Sequence, residues 1–140
     1  MTARKYGNEY RSTLICVDSY ENAVLKGRYY SQFRENGVQF QSAIEMLLSM
    51  EEMLEQMQFP QAFSRARTFA NGGAAVNEAP NEERIQTGKL ATFQVRVLFR
   101  QNCSWQGTVH WLDGRKEESF RSVLELLILM DSALKESVRK

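Results

Sequence analysis

The residues that could do chemistry are few. The chain has one histidine, His110, and two cysteines, Cys16 and Cys103. A Ser/His/acid nucleophile would have to be built on His110, yet no G-x-S-x-G elbow occurs to hold the serine on a strained turn. A zinc centre wants about four Cys and His ligands in paired spacing, which these three scattered residues do not supply. The stretch "ANGGAA" matches neither G-x-x-x-x-G-K-[ST] nor G-x-G-x-x-G, so it reads as a connector rather than a phosphate loop. Glu51-Glu52 and Glu82-Glu83 are sequence neighbours, which diverge by about 100° on a helix and do not converge on a substrate. The two cysteines read as buried free thiols. The expectation is a protein that is not an enzyme, with no metal, no cofactor and no small-molecule substrate.

The chain that must position any binding site is 140 residues long, one domain by length and large enough to bury a core. Its 43% hydrophobic and 25% charged residues are those of an ordinary globular protein. A net charge of +1 creates no global field that recruits nucleic acid or a membrane, so any such binding needs a local patch. No apolar run approaches the ~20 residues of a membrane span. The opening "MTARKYGNEYR" has no hydrophobic signal core. A cytoplasmic protein with no membrane partner is expected.

Two stretches spell nearly the same helix. "FQSAIEMLLSMEEML" covers residues 40–54 and "FRSVLELLILMDSAL" residues 120–134. At the same offset of 80, Gly27 meets Gly107, Asn22 meets Asn102 and Val17 meets Val97, with no gap. An internal duplication follows. Each unit reads strand, turn, strand, loop, helix. In the second unit, Phe93, Val95, Val97 and Phe99 alternate with Gln94, Arg96, Leu98 and Arg100; after a turn, Trp105, Gly107, Val109 and Trp111 alternate with Gln106, Thr108 and His110. "DGRKEES" reads as a loop opened by Asp113-Gly114. In the first unit "STLICVDSY" and "AVLKGRYYSQF" are the matching strands, with poorer alternation. Ser42-x-x-Glu45 and Ser122-x-x-Glu125 read as capping boxes. Phe40, Ala43, Ile44, Leu47, Met50 and Leu54 fall on one helical stripe, as do Phe120, Val123, Leu124, Leu127, Met130 and Leu134.

These elements predict an α+β two-layer sandwich made from a duplicated ββα unit, with a four-stranded antiparallel sheet and both helices on one face. The chain is one domain: a first unit at about 12–57, a mobile connector at about 71–89, and a second unit at about 91–138. Phe59, Phe63 and Phe69 are expected to tack the start of the linking segment to the core. The alternation leaves an open sheet face carrying Lys26, Arg28, Tyr30, Arg96, Arg100, Gln106, Thr108 and His110, joined by Asp18 and Tyr20. Such a face has cations for phosphates and tyrosines for stacking on bases, and is the candidate nucleic-acid surface. It is also what any solvated sheet face looks like. It can equally be covered by the N-terminal segment with Tyr6 and Tyr10, by the linker, or by a second copy. The outer face of the first helix is acidic, with Glu45, Glu51, Glu52 and Glu55, and Leu129 on the second helix points away from its core stripe. These five are the candidate protein interface.

The phrases "LICVDSYENAVLKGRYYSQF", "QFPQAFSRARTF" and "SWQGTVHWLDGRKEESFRSVLELLILMDSAL" resemble a family of small proteins of gut Firmicutes, often carried on conjugative or integrative mobile elements. The resemblance brings no catalytic motif and no established site, so no functional residue carries over. It implies context: a regulator, or an inhibitor of host defence of the anti-CRISPR kind, acting on a nucleic acid or a nuclease ribonucleoprotein. Either the basic sheet or the acidic face of the first helix would then serve, the latter as a phosphate mimic. The expected function is a non-catalytic binding protein of a mobile element; the alternative is a homodimeric protein–protein adaptor that does not touch nucleic acid.

Overall fold

The computed structural model describes residues 12–33, 36–58, 87–101 and 103–138. The elements are β1 (Ser12–Glu21), β2 (Val24–Ser31), β3 (Val38–Phe40), α1 (Ala43–Met57), β4 (Ala91–Phe99), β5 (Gln106–Trp111), β6 (Lys116–Phe120) and α2 (Val123–Val138). The fold is α+β: a six-stranded antiparallel sheet in the order β3-β2-β1-β4-β5-β6, with two helices. The two central strands are the first of each half, with Ile15 opposite Phe93 and Thr13 opposite Val95.

Six strands correct the four expected. Each half adds a third strand where the sequence reads as loop. β3 is only three residues long, and the first four residues of β6 are all solvent-exposed and polar. Both are sheet edges, where short or charged strands discourage pairing with another chain. β3 alternates but over only three residues, and β6 has no apolar alternation, so neither is recognised as a strand. Phe40 and Phe120, expected on the helical stripes, are their last residues.

One sheet face builds the core. Ile15, Val17, Tyr29, Phe40, Phe93, Val95, Val97 and Phe120 are buried in it. Met46, Met50, Met53 and Leu54 of α1 and Leu126, Met130 and Leu134 of α2 pack onto the same cluster. α1 lies over β2 and β3, α2 over β5 and β6. Both helices start on a serine: Glu45 N–H donates to Ser42 Oγ and Glu125 N–H to Ser122 Oγ, each at 3.1 Å. This satisfies a backbone donor that has no partner inside the helix.

The strand registers repeat at the spacing of the sequence. Val17 faces Gly27 and Gly27 faces Phe40; Val97 faces Gly107 and Gly107 faces Phe120. A β-bulge follows at the same place in both, between Val17 and Ser19 and between Val97 and Phe99. The glycines are required by close approach. A Cβ on Gly27 would lie 2.0 Å from the Cys16 carbonyl oxygen, and one on Gly107 would lie 1.9 Å from that of Arg96. The connector expected at 71–89 falls outside the described residues up to 86, as do Phe59, Phe63, Phe69, Tyr6 and Tyr10.

Candidate interaction surfaces

The bulges decide which side chains reach the outer sheet face. A bulge adds one residue to one strand and so reverses the in-and-out phase beyond it. Lys26, Arg28, Tyr30, Arg96, Gln106, Thr108 and His110 all precede or lie opposite the bulges and do face outward. The cross-strand rows run Arg28–Cys16–Thr92, Tyr30–Leu14–Gln94–His110–Glu117 and Ser12–Arg96–Thr108–Ser119.

Beyond the bulges the phase turns over, and two expected outer-face residues lie on the helix side instead. Arg100 is buried, 2% exposed, and its Nη1 reaches Glu51 and Glu55 of α1 at 3.1 Å each. The Trp105 indole N–H donates to the same Glu51 at 3.0 Å. Tyr20 behaves alike: its hydroxyl donates to Asp131 of α2. That hydrogen bond, with burial second, raises the Tyr20 hydroxyl to about 12. Tyr20 and Arg100 are equivalent positions of the repeat, as are Glu51 and Asp131. The end of each central strand therefore reaches across to the helix of the other half, and the two halves brace each other.

Arg28 stays outside but is held there. Its Nη1 contacts both oxygens of Asp18 at 2.8 and 3.0 Å, its Nε donates to the Tyr30 hydroxyl at 2.8 Å, and its Nη2 donates to the Thr87 carbonyl at 2.9 Å. The guanidinium lies over the Tyr30 ring, 5.7 Å from its centre. Lys89 N–H and Leu90 N–H bond Asp18 and the Val17 carbonyl, and Gly88 N–H bonds Thr92 Oγ1. Arg28 and Asp18 thus clasp the chain as it enters β4. Gln106 exchanges hydrogen bonds with the backbone of Gln101. The exposed cations on this face are Lys26 and Arg96, and Glu117 stands opposite His110.

The helical layer also departs from expectation. Leu129 does not point away from the core; it is half-buried and packed against it. Ile44 and Leu124, expected on the core stripes, are 70% and 67% exposed. The helices are rolled relative to the stripe expected, because both carry apolar residues around more than one face and the sheet, rather than the helix, selects which is buried. One turn further on, Leu48 and Ile128 are 55% and 57% exposed. Ile44 matches Leu124 in the repeat, and Leu48 matches Ile128. Each helix therefore displays an i, i+4 apolar pair to solvent at the same position. Sequence reasoning placed Ile44 and Leu124 in the core and overlooked Leu48 and Ile128, although the repeat offset and an excess of apolar residues over one stripe were the available signal. Of the acidic candidates, Glu51 and Glu55 are engaged by Arg100, while Glu45 and Glu52 are half-buried and Glu52 Oε2 is enclosed.

Among the described residues no helix is long and apolar enough to cross a membrane, and no group of three or more His, Cys, Asp and Glu could hold a metal ion. Comparison with protein-family models, with curated proteins and with solved structures finds no match to this chain.

Proposed function

We propose that the chain is a non-catalytic binding protein, built from a duplicated module of three strands and a helix, whose working form is a homodimer joined through the helical layers. The observation that carries this reading is the pair of equivalent exposed apolar ridges, Ile44 with Leu48 and Leu124 with Ile128. Each ridge exposes on the order of 200 Å² of apolar surface, and the two lie on separate helices over opposite ends of the sheet. The two helices, each about 22 Å long, add a polar rim toward the ~800 Å² per partner of a standard interface.

The repeat makes this surface self-complementary, since a two-fold axis between copies can lay ridge on ridge. Charge selects the pairing. α1 carries Glu45, Glu51, Glu52 and Glu55 and no basic residue, so α1 against its own copy sets like charges together. α2 is acidic too, with Glu125, Asp131 and Glu136, but it carries Lys135 and is preceded by Arg121, 66% and 87% exposed and paired with Asp131 and Glu125. So α1 against α2 of the other copy sets fewer like charges together than α1 against α1. α1 of one copy on α2 of the other is the favoured arrangement.

A nucleic-acid reading needs the four sheet cations. Arg100 is inside and Arg28 is engaged by Asp18, which leaves Lys26 and Arg96 as its exposed charges. Sedimentation velocity over a wide concentration range tests the proposal. A species of twice 16.2 kDa should form, and Leu48→Glu with Ile128→Glu should leave a folded monomer. A wild-type protein that stays monomeric at 100 µM would overturn it.

A further inference from the structure

The two halves differ in one place that packing alone does not explain. A cavity of about 230 Å³ lies beneath α2, over β4, β5 and β6. Under α1 two of the equivalent positions carry larger side chains. There, Tyr29 is 1% exposed and donates its hydroxyl to Ser49 Oγ at 3.0 Å, and Met53 is fully buried, with the Ser31 hydroxyl on its sulfur at 3.0 Å. At the equivalent positions of the second half, Tyr29 becomes Val109 and Met53 becomes Ala133, both lining the cavity. The plug has been removed from the middle. The walls have been raised: Thr13, Ser31 and Ser49 correspond to Phe93, Trp111 and Leu129, which also line it. The small Val109 and Ala133 thus lie among the larger apolar Phe93, Trp111 and Leu129 at the cavity.

Two further features concern an occupant. The Trp111 indole nitrogen is buried and has no hydrogen-bond partner among the described residues, although a buried indole N–H ordinarily finds one. Gly114 packs against the Trp111 ring, where a Cβ would come within 2.2 Å of a ring carbon. The chain thereby closes over the ring and holds it in place. The cavity rim carries Glu118 and Glu136 with one lysine, Lys116, so its net charge is negative.

We propose that this cavity is a binding site for a small aromatic amine, with one ring of the size of the missing Tyr29 phenol. The ring fills the space between Val109 and Ala133, and the ammonium reaches Glu118 and Glu136. The cavity is larger than the engineered apolar cavities that are known to hold a benzene ring. About ten heavy atoms suit an affinity on the order of 0.1–1 mM.

The experiment titrates tyramine, phenol and 4-hydroxyphenylacetate into the full chain, followed by saturation-transfer NMR and tryptophan fluorescence. Tyramine should bind, phenol more weakly, and the carboxylate at least tenfold more weakly than tyramine. Ala133→Met restores the plug present in the first half; it should abolish tyramine binding while the protein melts at the same temperature or higher. Glu118→Gln with Glu136→Gln, both on the surface, should weaken tyramine about tenfold and leave phenol unchanged. Absence of tyramine binding at 10 mM, equal binding of amine and acid, or full binding by a folded Ala133→Met protein would each overturn the proposal.

Discussion

Removing Arg100 should cost less than removing the carboxylates it holds, and the reason is their unequal burial. The Arg100 side chain is 2% exposed, whereas Glu51 and Glu55 are 41% and 44% exposed. In Arg100→Met the stem's packing is retained and the buried charge disappears. The loss of its hydrogen bonds, about 1–2 kcal/mol, is offset by relief of the desolvation penalty of a buried ion, and the two glutamates turn to water. In Glu51→Gln with Glu55→Gln the guanidinium remains enclosed without these two carboxylates. Breaking a buried pair in that way costs about 3–5 kcal/mol, and the half-open carboxylates place this site near the lower end, about 3 kcal/mol. Trp105 keeps an acceptor in the glutamine amide oxygen, so its hydrogen bond does not blur the comparison. Urea unfolding at 25 °C reads both. With a slope of about 2 kcal/mol/M, the double glutamine variant should lose about 1.5 M in midpoint and the methionine variant less than about 0.7 M, with slopes unchanged. A larger loss in Arg100→Met than in the double variant would refute the reasoning.

Three other outcomes follow from the fold. Gly27→Ala and Gly107→Ala each drive a Cβ to within 2.0 Å of a backbone carbonyl oxygen, which cannot rotate away; each should cost at least about 3 kcal/mol in thermal or urea melts, and a loss under about 1 kcal/mol at both would show that the bulged strands yield. Burial pushes the Cys16 thiol up from 9.0 to about 11, against a smaller opposing pull from Arg28, while Cys103, expected to be buried, is exposed because it sits in the turn before β5. Ellman's reagent at pH 8 should therefore titrate one thiol in the native protein and two in urea. Because the folded value lies above the unfolded one, the stability that Cys16 contributes is intact below pH 9 and is lost as pH rises toward 11. Cys16→Ala should flatten the decline of stability over that window, and an unchanged slope would contradict the assignment.

The repeat was legible because glycine and alternation are tied to backbone geometry. Gly27 and Gly107 recur since only a residue without a side chain fits against the neighbouring strand, and Phe93, Val95, Val97, Gly107 and Val109 face inward as their alternation indicates. The serine caps were legible for the same local reason. Three features were not. β3 and β6 are held by their neighbours rather than by their own pattern. The bulges reverse the phase of the chain without marking the sequence, which carried Arg100 and Tyr20 from the expected outer face to the helices. The roll of each helix is a tertiary choice among several apolar faces, so Leu129 lies inside and Ile44 and Leu124 lie outside. The ridges and the cavity depend on how equivalent positions of the two halves are placed in space, which no local pattern encodes.

Cross-linking across the helical layer tests the central claim most directly. In a Cys103→Ser background, Leu48→Cys protein is mixed with Ile128→Cys protein and mildly oxidised, then resolved on a non-reducing gel. The account predicts a covalent dimer in the mixture at low micromolar concentration, and little when either variant is oxidised alone, because α1 of one copy meets α2 of the other. A failure to cross-link in the mixture, or equal cross-linking by Leu48→Cys alone, would contradict it.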